Sequence, residues 1–294
     1  MLFAFSHAVV WAITSLFLRS LTAKLGVFVL NGLRGAAALL VIIPMALVAG
    51  SIEDLRLLTG PKIFFLITSI IGGGVFGSIL YLRSLRMLGV TRAFPISNSY
   101  PLFTVFFSFV LLQETVKWPV IPGTLLVLTG VYLISRIPQH RGEVEPQTVA
   151  PQVVVAGVLS ALAASVLWGC STVVFSLGLQ GTNAHVANSI RIPVMAGVSL
   201  GIAALRKETH AVARLDLKTV ILLIVSGVLG WGVGASLYAL SVQHAGASMT
   251  SIIAATAPLF AMPLSILVFR ERPIAPTILG TVLAVVGIAI VVGA

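Results

Sequence analysis

Apolar stretches long enough to cross a bilayer recur along almost the whole chain, interrupted by single charges, prolines and short glycine runs. Hydrocarbon about 30 Å thick takes roughly 20 residues of helix at about 1.5 Å each. Runs of that order fall at 2 to 20, 27 to 49, 63 to 85, 93 to 112, 118 to 136, 153 to 176, 184 to 205, 218 to 240, 249 to 269 and 274 to 293. The pattern predicts an all-α integral membrane protein of ten transmembrane helices. The first run carries no basic residue ahead of it and no small-residue cleavage site, so it reads as a retained helix and not as a signal peptide. One polar stretch, 137 to 152, is long enough to be a linker; it holds Pro138, Arg141, Glu143, Glu145, Pro146 and Pro151.

That linker splits the chain nearly in half, and the halves resemble each other. Shifting the sequence by 157 residues aligns them without a gap, with 31 of 137 overlapping positions identical. Trp11 falls on Trp168, Asn31 on Asn188, Arg34 on Arg191, Tyr81 on Tyr238, Pro101 on Pro258 and Glu114 on Glu271. Rare residue types carry the match, so shared hydrophobicity does not explain it. The expected organisation is a first five-helix repeat at 1–137, a segment at 138–157 holding the linker and the start of the sixth helix, and a second repeat at 158–294. Five is odd, so the second repeat enters the membrane from the opposite side, an inverted arrangement typical of secondary transporters with a site near the midplane.

Composition narrows the function. The chain is 58% hydrophobic and 9% charged, where soluble domains carry about 25% charged residues, so soluble enzymes are excluded. The net charge of +10 comes from bases scattered singly, which gives no nucleic-acid surface. The partners expected are a small-molecule solute and membrane lipid; the sequence names no oligomeric state. Cys170 is the single cysteine, which leaves no thiolate metal cluster and no disulfide within the chain. No cofactor, no metal and no catalytic constellation is expected.

The candidate substrate-binding residues are those that need a reason to be in a membrane. Arg34 and Arg191 lie inside the second and seventh spans, where a charge costs about 2.5–3.5 kcal/mol unless it faces protein or water. Asn31 and Asn188 stand three residues earlier on the same helical faces. The arginines read either as donor forks for an anionic solute or as caps on neighbouring carbonyls. Trp11 and Trp168 fall mid-helix, away from the interfacial belt, as cavity walls or as packing. Tyr81 and Tyr238 offer hydroxyls to a cavity or to neighbouring helices. Ser97, Asn98, Ser99 and Tyr100 form a polar run whose counterpart is Ala254, Ala255, Thr256 and Ala257; Asn98 and Tyr100 are thus candidates for solute specificity. Pro101 and Pro258 each remove a helix hydrogen bond and are expected to kink the fourth and ninth helices or serve as hinges. The acids all fall in loops or at helix ends, Glu114 and Glu271 included. A carboxylate proton relay therefore has no residue; His7 and His185 are the remaining candidates for proton coupling, and each reads more readily as a packing or hydrogen-bonding residue.

The pieces Tyr-Leu-x-Ser-Leu from Tyr81, Pro101-Leu-Phe, Gln113-Glu114 and Gly123 to Gly130, repeated at Tyr238 to Gly287 with Arg270-Glu271-Arg272, resemble the EamA-type branch of the drug/metabolite transporter superfamily. Trp11-Ala12 and Trp168-Gly169 add to the likeness, which spans nearly the whole chain. The resemblance implies a ten-helix exporter or exchanger of small metabolites. It further implies a cavity formed by the first four helices of each repeat, with the fifth helices packed outside. The sequence-level expectation is a secondary transporter, by efflux, exchange or facilitated diffusion, of a small polar metabolite such as an amino acid, working by alternating access in a prokaryotic plasma membrane. A lipid-linked sugar flippase and a non-transporting scaffold are the alternatives.

Overall fold

The computed structural model describes residues 1–22, 24–50, 52–88, 93, 96–115, 117–135, 150–257, 259–260 and 275–293. Within them the chain is helical, with no strand. The main helices are α1 (Leu2–Thr22), α2 (Val27–Ala49), α3 (Gly60–Leu88), α4 (Tyr100–Leu111), α5 (Val120–Ser135), α6 (Pro151–Leu179), α7 (Ala184–Leu205), α8 (Leu217–Ala254) and α9 (Ala275–Gly293). Five of these, α2, α3, α6, α7 and α8, are long and apolar enough to cross a membrane, and shorter apolar helices accompany them.

Sequence signals set most of these ends. Pro61 and Pro151 occupy first turns, where a missing N–H costs nothing. The Asn183 side chain accepts the His185 N–H at 2.9 Å and caps α7. Two ends differ from expectation. The stretch 93 to 112 is not one helix: Asn98 and Ser99 form a turn, and α4 begins at Tyr100 with Pro101 in its first turn. Proline has no N–H to give and is accommodated in the first turn of a helix, so Pro101 stands just after the turn, where α4 begins. Ala255 and Thr256 form a turn at the corresponding place, while Pro258 lies outside the described residues. The eighth span runs past 240 to Gly246, whose φ of 78° and ψ of 170° break α8 in a conformation that favours glycine.

Two internal segments depart from α geometry. Ile70–Gly77 in α3 and Val228–Gly234 in α8 are π-helical, with one extra residue in each turn. They occupy equivalent places under the 157-residue shift, and both are rich in glycine.

Packing follows small residues. α2 lies along α7, and a Cβ on Gly35 would stand 3.0 Å from that of Ala196. α5 pairs with α9, where a Cβ on Gly287 would stand 2.6 Å from the Gly123 carbonyl oxygen. Small residues let helices meet at backbone distance in a solvent that offers no hydrophobic drive between them. α6 packs against α3 and α4, and α1 against α8. The largest apolar cluster gathers Leu21, Leu25, Phe28, Val29, Leu30, Ile70, Val75, Met195, Ala203 and Leu223 around the α2–α7 contact.

Candidate functional site

The two buried arginines make the same bond. Arg34 donates from Nε to the Ser226 hydroxyl at 3.2 Å and from Nη2 to the Ser226 carbonyl at 3.2 Å. Arg191 donates from Nε to the Ser69 hydroxyl at 3.2 Å and from Nη1 to Asn188 Oδ1 at 3.1 Å. Ser69 and Ser226 themselves correspond under the 157-residue shift. Each hydroxyl donates to a carbonyl three residues back, Leu66 or Leu223, and so presents its oxygen to the guanidinium. Both serines stand at the head of a π-helical segment. Each half of the chain thus clamps the irregular segment of the other. Arg191 also lies over the Phe175 ring, 3.6 Å from its centre, a cation–π contact.

The asparagines hold the same segments. Asn31 donates to the Gly74 carbonyl and Asn188 to the Ala235 carbonyl, each at 2.9 Å. Trp168 Nε1 donates to the Gly73 carbonyl at 3.1 Å, and Ser171 to the Ser69 carbonyl at 2.5 Å. A π turn leaves carbonyls without an ordinary helical partner, and these side chains supply donors to them.

Two aromatic groups face the interior. Trp168 meets Tyr81 with ring centres 5.2 Å apart and Tyr100 edge-on at 6.1 Å. His7 stacks on Trp11 at 6.1 Å and leans on Tyr238 at 4.9 Å. The Tyr238 hydroxyl pairs with Thr172 at 2.8 Å, and the Tyr100 hydroxyl donates to the Ser251 carbonyl at 3.1 Å. In the polar run, Ser97 bonds the Ala161 carbonyl and Ser99 the Ser165 hydroxyl, both on α6. Half-buried Asn98 makes no side-chain bond within the described residues.

A cavity of about 330 Å³ opens beside these groups, lined by Glu114, Ser176, Gln180, Gln243 and Gly246 among others. Ser176 and Val242 on its wall sit one helical turn from Thr172 and Tyr238. Glu114 accepts a hydrogen bond from Ser248 at 3.0 Å, across the break at Gly246. Among the described residues no three His, Cys, Asp or Glu side chains come together as a metal site.

The structure thus gathers Asn31, Arg34, Asn188 and Arg191 around the two π segments, and Trp11, Tyr81, Tyr100, Trp168 and Tyr238 into two aromatic groups. Sequence reasoning misses Ser69, Ser226, Phe175 and Thr172, and it weighs His7 for proton coupling but favours packing or hydrogen bonding. The serines carry a usable signal, since one falls on the other in the repeat; Thr172 and Phe175 carry none.

Comparison with known proteins follows the same outline. The model of the EamA-like transporter family matches residues 1–136 and again 155–293. No curated protein has significant sequence similarity to the chain. One similar solved protein, a crystal structure at 19% sequence identity, superimposes with a TM-score of 0.78 over 98% of this chain and 94% of its own. At that identity the likeness concerns the fold alone.

Proposed function

Because the chain belongs to the EamA-like transporter family, and so transports small molecules across a membrane, we propose that its cargo is a carboxylate-bearing or zwitterionic solute. It moves that solute by alternating access between two inverted five-helix repeats, 1–137 and 158–294. The observation that carries the reading is the crossed pair of clamps, Arg34 on Ser226 and Arg191 on Ser69. Two equal clamps at opposite depths make two equivalent packings of the repeats available, which is what alternating access requires.

The solute sits between the two aromatic groups, against Trp11, Tyr81, Asn98, Tyr100, Trp168 and Tyr238. Arg34 and Arg191 supply its electrostatic attraction. Both are buried, and their partners are hydroxyl, amide and carbonyl oxygens that leave the charge uncancelled. A low-dielectric surround lengthens the reach of such a charge, and an anion is its natural complement. Asn98 offers an unspent amide to the solute's remaining polar groups.

Counterflow in proteoliposomes tests this, with unlabelled amino acids inside and radiolabelled glutamate, aspartate or phenylalanine outside. Label should accumulate with the wild-type protein. Arg191→Lys, which keeps the charge, should retain part of the flux, and Arg191→Ala should lose about tenfold or more, the equivalent of about 1.4 kcal/mol. Normal flux in a folded Arg191→Ala protein sinks the site. Movement of a lipid-linked sugar with no movement of soluble solutes turns the reading into a flippase.

A further inference from the structure

We propose that His7 is a proton-binding site of the transport cavity, through which solute movement responds to pH; the coupling half of the proposal rests on the transport reading above. Its Nδ1 lies 2.8 Å from the Gly234 carbonyl oxygen. A carbonyl only accepts, so Nδ1 carries the hydrogen and the neutral ring is the Nδ1–H tautomer. That leaves the Nε2 lone pair as the proton acceptor. Nε2 has no hydrogen-bond partner among the described residues, and the ring is half-buried.

The location suits a coupling role. Gly234 ends the π-helical segment of α8, so the ring is tied to the element that Arg34 clamps at its other end. Tyr238 is in direct contact with His7 and within electrostatic reach of Arg191. The other charged or titratable groups along α1 stand further off. Arg34 from α2 approaches Thr14, two turns away, and His244 of α8 stacks on Phe3, one turn the other way. Among these neighbours no carboxylate is in contact with the ring, so protonation adds a positive charge beside Tyr238, itself within reach of Arg191. A carboxylate-bearing solute then binds more tightly to the protonated form, and by reciprocity the bound solute favours the proton. The proton reaches Nε2 from water in the cavity beside Glu114 and Gln243, whose wall at Val242 lies one turn from Tyr238. Under the repeat, His7 falls on Ala164, so one proton site serves both halves.

The Trp11 ring reports on His7 directly, because imidazolium quenches the emission of an indole stacked on it. Purified protein is titrated from about pH 8 to about pH 3.5, a range wide enough for the charge change of a histidine in water or in a protein interior, beside a His7→Asn variant. Asparagine keeps a donor for the Gly234 carbonyl and does not titrate. Wild-type emission should fall reversibly by up to about one quarter, the share of one of four tryptophans, relative to the variant; superimposable curves overturn the proton site. Glutamate counterflow at equal pH on both sides should run about threefold faster at the acid end in the wild type and equally at both ends in His7→Asn. The same pH ratio in both proteins overturns the coupling. Absence of counterflow in the wild type overturns the transport reading, and the fluorescence titration then decides the proton site by itself. If His7→Asn does not fold, His7→Gln replaces it in both measurements, with the same outcomes.

Discussion

The clamps on the two π-helical segments are duplicated, whereas His7 and the polar run before Pro101 are not. Arg34 with Ser226 and Arg191 with Ser69 repeat each other residue for residue. The run Ser97–Tyr100 meets alanines in the other half, and His7 meets Ala164. A pseudo-symmetric transporter needs its scaffold twice, once for each packing, but its solute only once. In this chain the mechanical clamps are duplicated, and the departures from duplication are the places to look for what is specific to one solute.

The sharpest way to break the comparison is to remove the clamps one at a time. Arg34→Ala leaves the Ser226 hydroxyl and carbonyl without their charged donor, a loss of about 2–3 kcal/mol for hydrogen bonds to a charge. Arg191→Ala should cost more, because the Phe175 ring contact and the Asn188 bond go with it. Double-mutant cycles on thermal stability, Arg34 with Ser226→Ala and Arg191 with Ser69→Ala, should each return a coupling of about 1–2 kcal/mol. Coupling in one cycle alone would mean that the duplicated sequence does not do duplicated work.

A smaller effect separates the two glycines that end the π segments. A Cβ on Gly77 would stand 2.7 Å from the Trp168 ring, whereas on Gly234 the nearest atom, the Leu229 carbonyl oxygen, is 3.2 Å away. Gly77→Ala should push the indole off the Gly73 carbonyl and destabilise the protein by about 1–3 kcal/mol. Gly234→Ala should be near neutral, since alanine's helix preference of about 1 kcal/mol offsets the tight fit. Thermal melts of the two variants, in the same detergent, check the difference; equal losses would show that the Trp168 contact does not distinguish the halves.

Much of this arrangement is legible in the order of residues along the chain. The apolar run at 184 to 205 coincides with Ala184–Leu205, and 27 to 49 with Val27–Ala49, although each helix holds an internal proline; Asn183 and Arg206 bound the first, Gly26 and Gly50 the second. The break at Asn98–Ser99 is signalled by Pro101 and not by hydropathy, since apolar residues resume at once beyond it. The glycines at 72 to 74 give no sign of the π turn, whose carbonyls take donors arriving from α6. Arg34, Arg191 and their asparagines stand out because a buried charge needs a reason. Their serine partners do not, because serine is unremarked in a membrane helix until the partner is in view. His7 meets Gly234 across 227 residues of sequence, a contact that no local pattern encodes.

The smallest expected effect lies in a loop contact that the repeat does not share. Asp216, at the start of α8, accepts hydrogen bonds from Thr219 at 2.5 Å and Lys24 at 2.9 Å. Its counterpart Thr59, at the start of α3, makes no side-chain cap. The Thr219 hydroxyl first, and the Lys24 ammonium second, hold the Asp216 carboxyl down to about 2. A carboxyl so lowered stabilises the fold fully above the usual carboxylate range near 4, and loses that contribution as pH falls from there through about 2. Asp216→Asn should therefore lower the melting temperature slightly at neutral pH, with the difference closing below about pH 4. The ion pair is half-exposed, at 51% and 55%, so its share should vanish in about 1 M salt, where screening acts within about 3 Å. The Thr219 bond is short-range and its donor residue is buried, so it should survive that salt. Thr219→Val should then raise the Asp216 titration further than Lys24→Ala does, as read by carboxyl NMR. The reverse order would make the loop contact an electrostatic one and remove its local hydrogen-bond character.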